Sequence, residues 1–226
     1  MEKVGFIGGY DKIDLMIYTA KILTAMGKRI MILDTTQKQK SRYIVPAINP
    51  TVSYVTEFEG IDIAVGFRDF EAVKKYLGTE NELRYDIALI DIDSSRAIVD
   101  TGLTIADKVY FATAFDLYSL KRGIGAIENI ENPLKLTKIY FTKTFSKEED
   151  DYLNFLSLGK KVIWNENIIY FPIESGDDLA IAENQRLGKV KFGNLTIDYK
   201  EGVASLASEI AGEKIKVARN IIKNLE

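Results

Sequence analysis

Val4-Gly5-Phe6-Ile7-Gly8-Gly9-Tyr10-Asp11-Lys12-Ile13-Asp14 is the stretch around which the chain is organised. Residues 4–7 are short, apolar and bounded by glycine, as a buried strand is. Ile13, Met16, Ile17, Ala20, Leu23 and Met26 then recur at helical spacing, and Gly27 marks the helix end. Residues 29–33 follow as a second buried strand, closed by Asp34. Strand, Gly-Gly turn, helix and acid-ended strand make the plan of a phosphate-binding βαβ unit.

The same order resembles the ParA/MinD branch of the P-loop NTPases, whose opening loop reads K-G-G-x-G-K-[ST]-[ST]. The pattern falls on residues 7–14, with Gly8, Gly9 and Lys12 matching and Tyr10 at the free position. The family's first lysine, which reaches across a dimer to the partner's nucleotide, is Ile7. Its third glycine is Asp11, its magnesium-ligating hydroxyl residue is Ile13, and the next hydroxyl residue is Asp14.

A P-loop works because backbone N–H groups and a helix N-terminus converge on an anion. Asp11 and Asp14 are expected to put two carboxylates where phosphates would sit, with Lys12 alone to offset them. Each unfavourable pair at ~4 Å costs on the order of 1–4 kcal/mol at effective dielectrics of 80 to 20. A helix that caps itself explains the loop equally: Asp11 reads as an N-cap and Asp14 as a first-turn acid.

Composition bounds the remaining choices. The 226 residues, 46% of them hydrophobic, suffice for a large core, and residues 1–226 read as one domain. A net charge of −3 gives no global drive towards nucleic acid, which is not expected as a partner. No cysteine means no disulfide or thiolate–metal chemistry, and no histidine removes the commonest general base and metal ligand. With no leader-like segment and no apolar run long enough to span a bilayer, the expected location is cytoplasmic.

Further landmarks keep the family's order. Asp34, Thr36 and Gln37 fall on D-x-x-Q, one residue longer than the family's D-x-Q, and Lys38, Lys40 and Arg42 form a small basic patch read as solvated loop. Short strands are expected within residues 52–55 and 61–65, and a helix capped by Asp69 running to about Leu77. Residues 85–93 resemble the Walker B pattern, Y-D-x-x-x-x-D, through Asp86 and Asp91. In a working family member Asp91 would help hold magnesium; here it is expected to serve as a strand-end cap for the helix starting at Ser94-Ser95. Residues 106–112, including Asp107, resemble the A-D-x-V strand, and residues 116–123 the helix start after it. Thr142 and Lys143 stand where the family reads the base, after a strand at 137–142. A last strand is expected at 168–172, with Pro172 at its end.

Helices are expected at about 200–211 and 213–225. Ile215, Ala218, Ile222 and Leu225 form a stripe on the second, widened by Val217 and Ile221, while Lys214, Lys216, Arg219 and Lys223 face elsewhere. MinD-like proteins often end in a membrane-binding amphipathic helix, which implies peripheral contact with the inner membrane face. Without Phe or Trp anchors, docking on the domain or a partner is the favoured reading.

The expected fold is α/β, a mostly parallel central sheet with helices on both faces. The expected function is a degenerate ParA/MinD-like pseudo-ATPase, a dimeric scaffold that localises a larger pilus or secretion assembly in the manner of the TadZ/CpaE type. No cofactor is expected. The alternative is an active, deviant ATPase that binds Mg-ATP and cycles between monomer and dimer. A receiver-like phosphoacceptor is a third reading, weakened because no acidic pair follows the first strand.

Overall fold

A computed structural model describes residues 1–47, 52–106, 108–142, 144 and 146–226. The expectations placed on Asp107 and Lys143 lie outside the described residues. In chain order the elements are β1 (Glu2–Ile7), α1 (Ile13–Ala25), β2 (Ile30–Asp34), α2 (Ser41–Ile44), β3 (Tyr54–Phe58), β4 (Ile61–Val65), α3 (Phe70–Tyr76), β5 (Ile87–Ile92) and α4 (Ser95–Asp100). They continue with β6 (Lys108–Thr113), α5 (Leu117–Ala126), β7 (Leu134–Tyr140), α6 (Lys147–Leu156), β8 (Val162–Tyr170), α7 (Ser175–Leu187), α8 (Ile197–Ala211) and α9 (Ile215–Asn224).

Among the described residues the strands form one sheet in the order β3-β4-β2-β5-β1-β6-β7-β8. Every pairing is parallel except the β3–β4 hairpin at one edge. This is the expected α/β architecture.

The period of two along each strand sorts side chains between two cores. Val4 and Phe6 of β1, Ile30 and Ile32 of β2, and Ile87 and Leu89 of β5 face α1, α8 and α9. Ile7, Met31, Leu33, Ala88, Ile90 and Ile92 face the other way, towards α3, α4, α5 and α6. Strands buried on both faces read as continuous apolar runs, which is why residues 4–7, 30–33 and 87–92 stand out in the sequence.

The strand limits differ most at the β8 edge. β8 begins at Val162 rather than at 168, and a register irregularity against β7 falls between Leu136 and Lys138. Asn165, Glu166 and Asn167 occupy this span and hide the strand from a hydrophobicity reading, since an edge strand tolerates polar, exposed positions. β7 ends at Tyr140, so Thr142 lies beyond it. α8 starts at Ile197, earlier than expected, because the Thr196 side chain caps it by accepting from the Tyr199 N–H.

The tail helix α9 lies on the domain. Ala218 and Ile222 are buried, and Ile215, Ile221 and Leu225 pack against the same core as α1 and α8. Arg219 pairs with Glu201 of α8 at 2.7 Å, and Lys200 with Glu226 at 2.5 Å. Lys214, Lys216 and Lys223 face outward. The described residues include no helix long and apolar enough to cross a membrane.

The helix's attachment is measurable by paired substitutions. Ile222, 4% exposed, should cost about 2–4 kcal/mol as Ile222→Ala. Val217, 40% exposed, should change stability by less than about 0.5 kcal/mol as Val217→Ala. Chemical denaturation of both variants checks the difference.

Candidate functional site

The carboxyl ends of β1, β2 and β5, together with the start of α5, surround a cleft of about 520 Å³. Its floor is the loop of residues 8–12 between β1 and α1. Both glycines are forced by close approach. A Cβ on Gly8 would stand 2.0 Å from the Ala112 carbonyl oxygen, and one on Gly9 would stand 2.3 Å from Cβ of Arg122. The loop therefore lies against β6 and α5 backbone where no side chain fits.

Lys12 decides the electrostatics. Its Nζ lies 2.6 Å from Asp91 Oδ1, with the two side chains 2% and 6% exposed. That contact is ionic in length, but its direction falls outside a hydrogen bond, leaving Asp91 Oδ1 without a directed donor. Lys12 Nζ also donates to the Gly8 carbonyl at 3.1 Å. Burial pushes the Asp91 carboxyl up to about 7, with Lys12 opposing the shift and Asp34 and Asp11 adding to it.

Asp91 is not the cap of α4, as was expected of it. Ser94 caps that helix itself by accepting from the Ala97 N–H, while the Asp91 side chain turns inward to Lys12. Asp34 is fully buried and accepts from Thr36 N at 3.0 Å, Thr36 Oγ1 at 2.6 Å and Ser41 N at 3.2 Å, and from Ser41 Oγ. It thereby fixes the turn after β2 that brings Thr36, Gln37, Lys38 and Lys40 to the cleft.

Two further expectations are corrected. Asp11 is not the N-cap of α1; Lys12 holds that position without a side-chain cap bond, and Asp11, one residue earlier, accepts from Ile13 N at 3.3 Å. Asp14 does not share the cleft with Asp11 and Lys12. It occupies the first helical turn facing α7, where Gln185 Nε2 donates to Oδ1 at 2.8 Å, and lines a separate cavity of about 220 Å³. Asp11 lies before the helix and borders both spaces, whereas Asp14 sits within the first turn and borders only the second. Burial pushes the Asp14 carboxyl up to about 6, with the Gln185 bond opposing.

Nor is Lys12 the sole cation near Asp11. Lys40 forms an ion pair with the Asp11 carboxylate, so the patch at residues 38–42 is engaged with the loop. Lys38 Nζ sits 5.7 Å from the Tyr118 ring centre. Arg122 donates to Gln37 Oε1 at 3.0 Å and lies 3.5 Å from Asp93, which also accepts from Gln37 N at 3.2 Å. Asp93, Tyr118 and Arg122 were missed as site residues. Asp93 had a signal, standing two positions past Asp91 on the same strand end; Tyr118 and Arg122 come from a distant helix and had none. Tyr10 borders the cleft while its ring stacks on Phe141 beyond β7, ring centres 4.4 Å apart.

No family model matches the chain, and no curated protein matches it in sequence. Solved structures do. The MinC:MinD cell division protein complex of Aquifex aeolicus aligns with TM-score 0.56 and 13% identity over 95% of this chain and 97% of that one. A ParA family ATPase from Chlorobium tepidum TLS gives 0.52 and 12% over 98% and 96%. An McdA–ATP complex from Cyanothece gives 0.54 and 11% over 95% and 97%. The chain has the ParA/MinD-like fold.

Three features of the loop bear on whether the cleft could hold a magnesium nucleotide. Ile13, fully buried, offers no hydroxyl; Lys12 is already neutralised; the Asp11 carboxylate faces the cleft. Among the described residues no group of three or more acidic side chains is arranged for a metal ion.

Asp14 gives a pH test of this geometry. Its folded-state value lies above the ordinary 3.8, so the native state binds the proton more tightly than the unfolded one. Its contribution to stability therefore rises as pH falls from about 7 towards 4, and is lost as pH rises through about 6. Asp14→Asn should stabilise the protein by ~1–3 kcal/mol at pH 8, with the gain vanishing near pH 4. Denaturation across that range checks the sign.

Proposed function

We propose that residues 1–226 form a single ParA/MinD-like domain that works without nucleotide, a pseudo-ATPase serving as a dimeric scaffold that localises a larger assembly of the pilus or secretion kind, as TadZ/CpaE-type proteins do. The loop carries this reading: Ile13 is buried at the magnesium position and Asp11 holds a carboxylate in the cleft. A triphosphate would meet that carboxylate, with no hydroxyl at position 13 to hold a metal between them. Lys12, the loop's own lysine, would first have to abandon a buried partner.

A protein partner is in keeping with the fold, since the Aquifex aeolicus neighbour is a MinC:MinD complex. The dimer is easier to form than the sequence alone suggests. Asp11 is neutralised within its own chain by Lys40, so opposed loop surfaces would not bring together four uncompensated carboxylates. Any peripheral membrane contact would use the outward basic side of α9, because its apolar stripe packs on the core.

The alternative, a deviant ATPase that cycles between monomer and dimer, draws on the retained Gly8, Gly9, Lys12 and Asp91 and on the cleft beside them. Calorimetry separates the two. Mg-ATP should bind no more tightly than about millimolar, some −4 kcal/mol, whereas a micromolar constant returns the ATPase reading.

Sedimentation adds an independent arm. The scaffold reading expects a dimer indifferent to Mg-ATP. A monomer that dimerises only with Mg-ATP overturns it.

A further inference from the structure

Each residue of the loop is committed to a different neighbour. Gly8 packs on the Ala112 carbonyl of β6, and its N–H donates to Ile92 O of β5 at 3.0 Å. Gly9 packs on Ser119 and Arg122 of α5. The Tyr10 ring stacks on Phe141, just past β7. Asp11 pairs with Lys40, on the segment Asp34 holds after β2, and Lys12 pairs with Asp91 of β5. Five successive residues thus reach α5, β5, β6 and the segments that follow β2 and β7, around the cleft.

We propose that this loop is a fixed closure, a keystone that holds the carboxyl ends of β2, β5, β6 and β7 in one arrangement through its own backbone and side chains, with no ligand needed to complete it. The inference deepens the scaffold reading and rests on it. Its weight falls on the Lys12–Asp91 pair, because both groups are out of water and each is the other's compensation. A lysine kept for an absent anion would contribute little to the stability of the ligand-free protein. A lysine that closes the fold would contribute much.

A double-mutant cycle without nucleotide tests this. Lys12→Met and Asp91→Leu each strand one buried charge, so each should lower the melting temperature by on the order of 10 °C. The double variant replaces the pair by apolar groups of similar volume and should recover most of that loss. If neither single variant folds, folding of the double alone gives the same support. Single variants that melt within about 2 °C of the parent overturn the proposal, as does a double variant that falls by the sum of the singles.

Tyr10→Ala supplies a second readout away from the charges. It should lower the melting temperature by a few degrees and speed amide exchange at the carboxyl ends of β6 and β7. Unchanged exchange there overturns the claim that the loop joins these strands. Mg-ATP titration of the parent protein is scored separately. Tight nucleotide binding would remove the scaffold reading, whereas a vanishing Lys12–Asp91 coupling would remove the fixed closure and leave that reading standing.

Discussion

The buried ion pair between Lys12 and Asp91 is the constraint from which the geometry of the cleft follows. Two charges taken out of water lose several kcal/mol of hydration each, and only their mutual attraction offsets the loss. Neither can leave without stranding the other. The pair therefore ties the start of α1 to the end of β5 across the middle of the sheet. It also places a lysine beneath the cleft with its charge already answered; burial raises the Asp91 carboxyl, and Lys12 opposes that rise.

Around the pair, the cleft is assembled from short polar links over an apolar sheet. Asp34 gathers four donors from Thr36 and Ser41, which folds the segment after β2 back over the loop. Lys40 then meets Asp11, and Gln37 meets Arg122 and Asp93. The links that are half exposed are individually weak in water. Together they hold three chain segments in register above the buried pair. The site is a charge-balanced seam in an ATPase-like fold, which is the physical basis for reading it as a scaffold.

Much of the fold was legible because β1, β2 and β5 are covered on both faces and so appear as unbroken apolar runs. The helix cap at Asp69 and the turn at Gly27 follow local rules that need no tertiary context. β8 was legible only in its apolar end. Asn165 and Asn167 are stabilised by Thr137 and Glu209, partners that a single strand's sequence does not display. Asp11 and Asp14 were both placed where phosphates would sit, yet Asp11 stays in the loop at the cleft while Asp14, inside the helix, meets Gln185.

Residue type and spacing were enough for the βαβ opening, the apolar strands that follow it and the lack of a hydroxyl at Ile13, whereas α2, α6 and α7 were not read from them. Only the tertiary structure decided who neutralises whom. Lys12 goes to Asp91, Asp11 to Lys40, and the stripe of α9 to the core beside α8. Ion pairing and burial depend on distance in space, and the parallel crossovers of this sheet bring together residues that lie far apart in the chain.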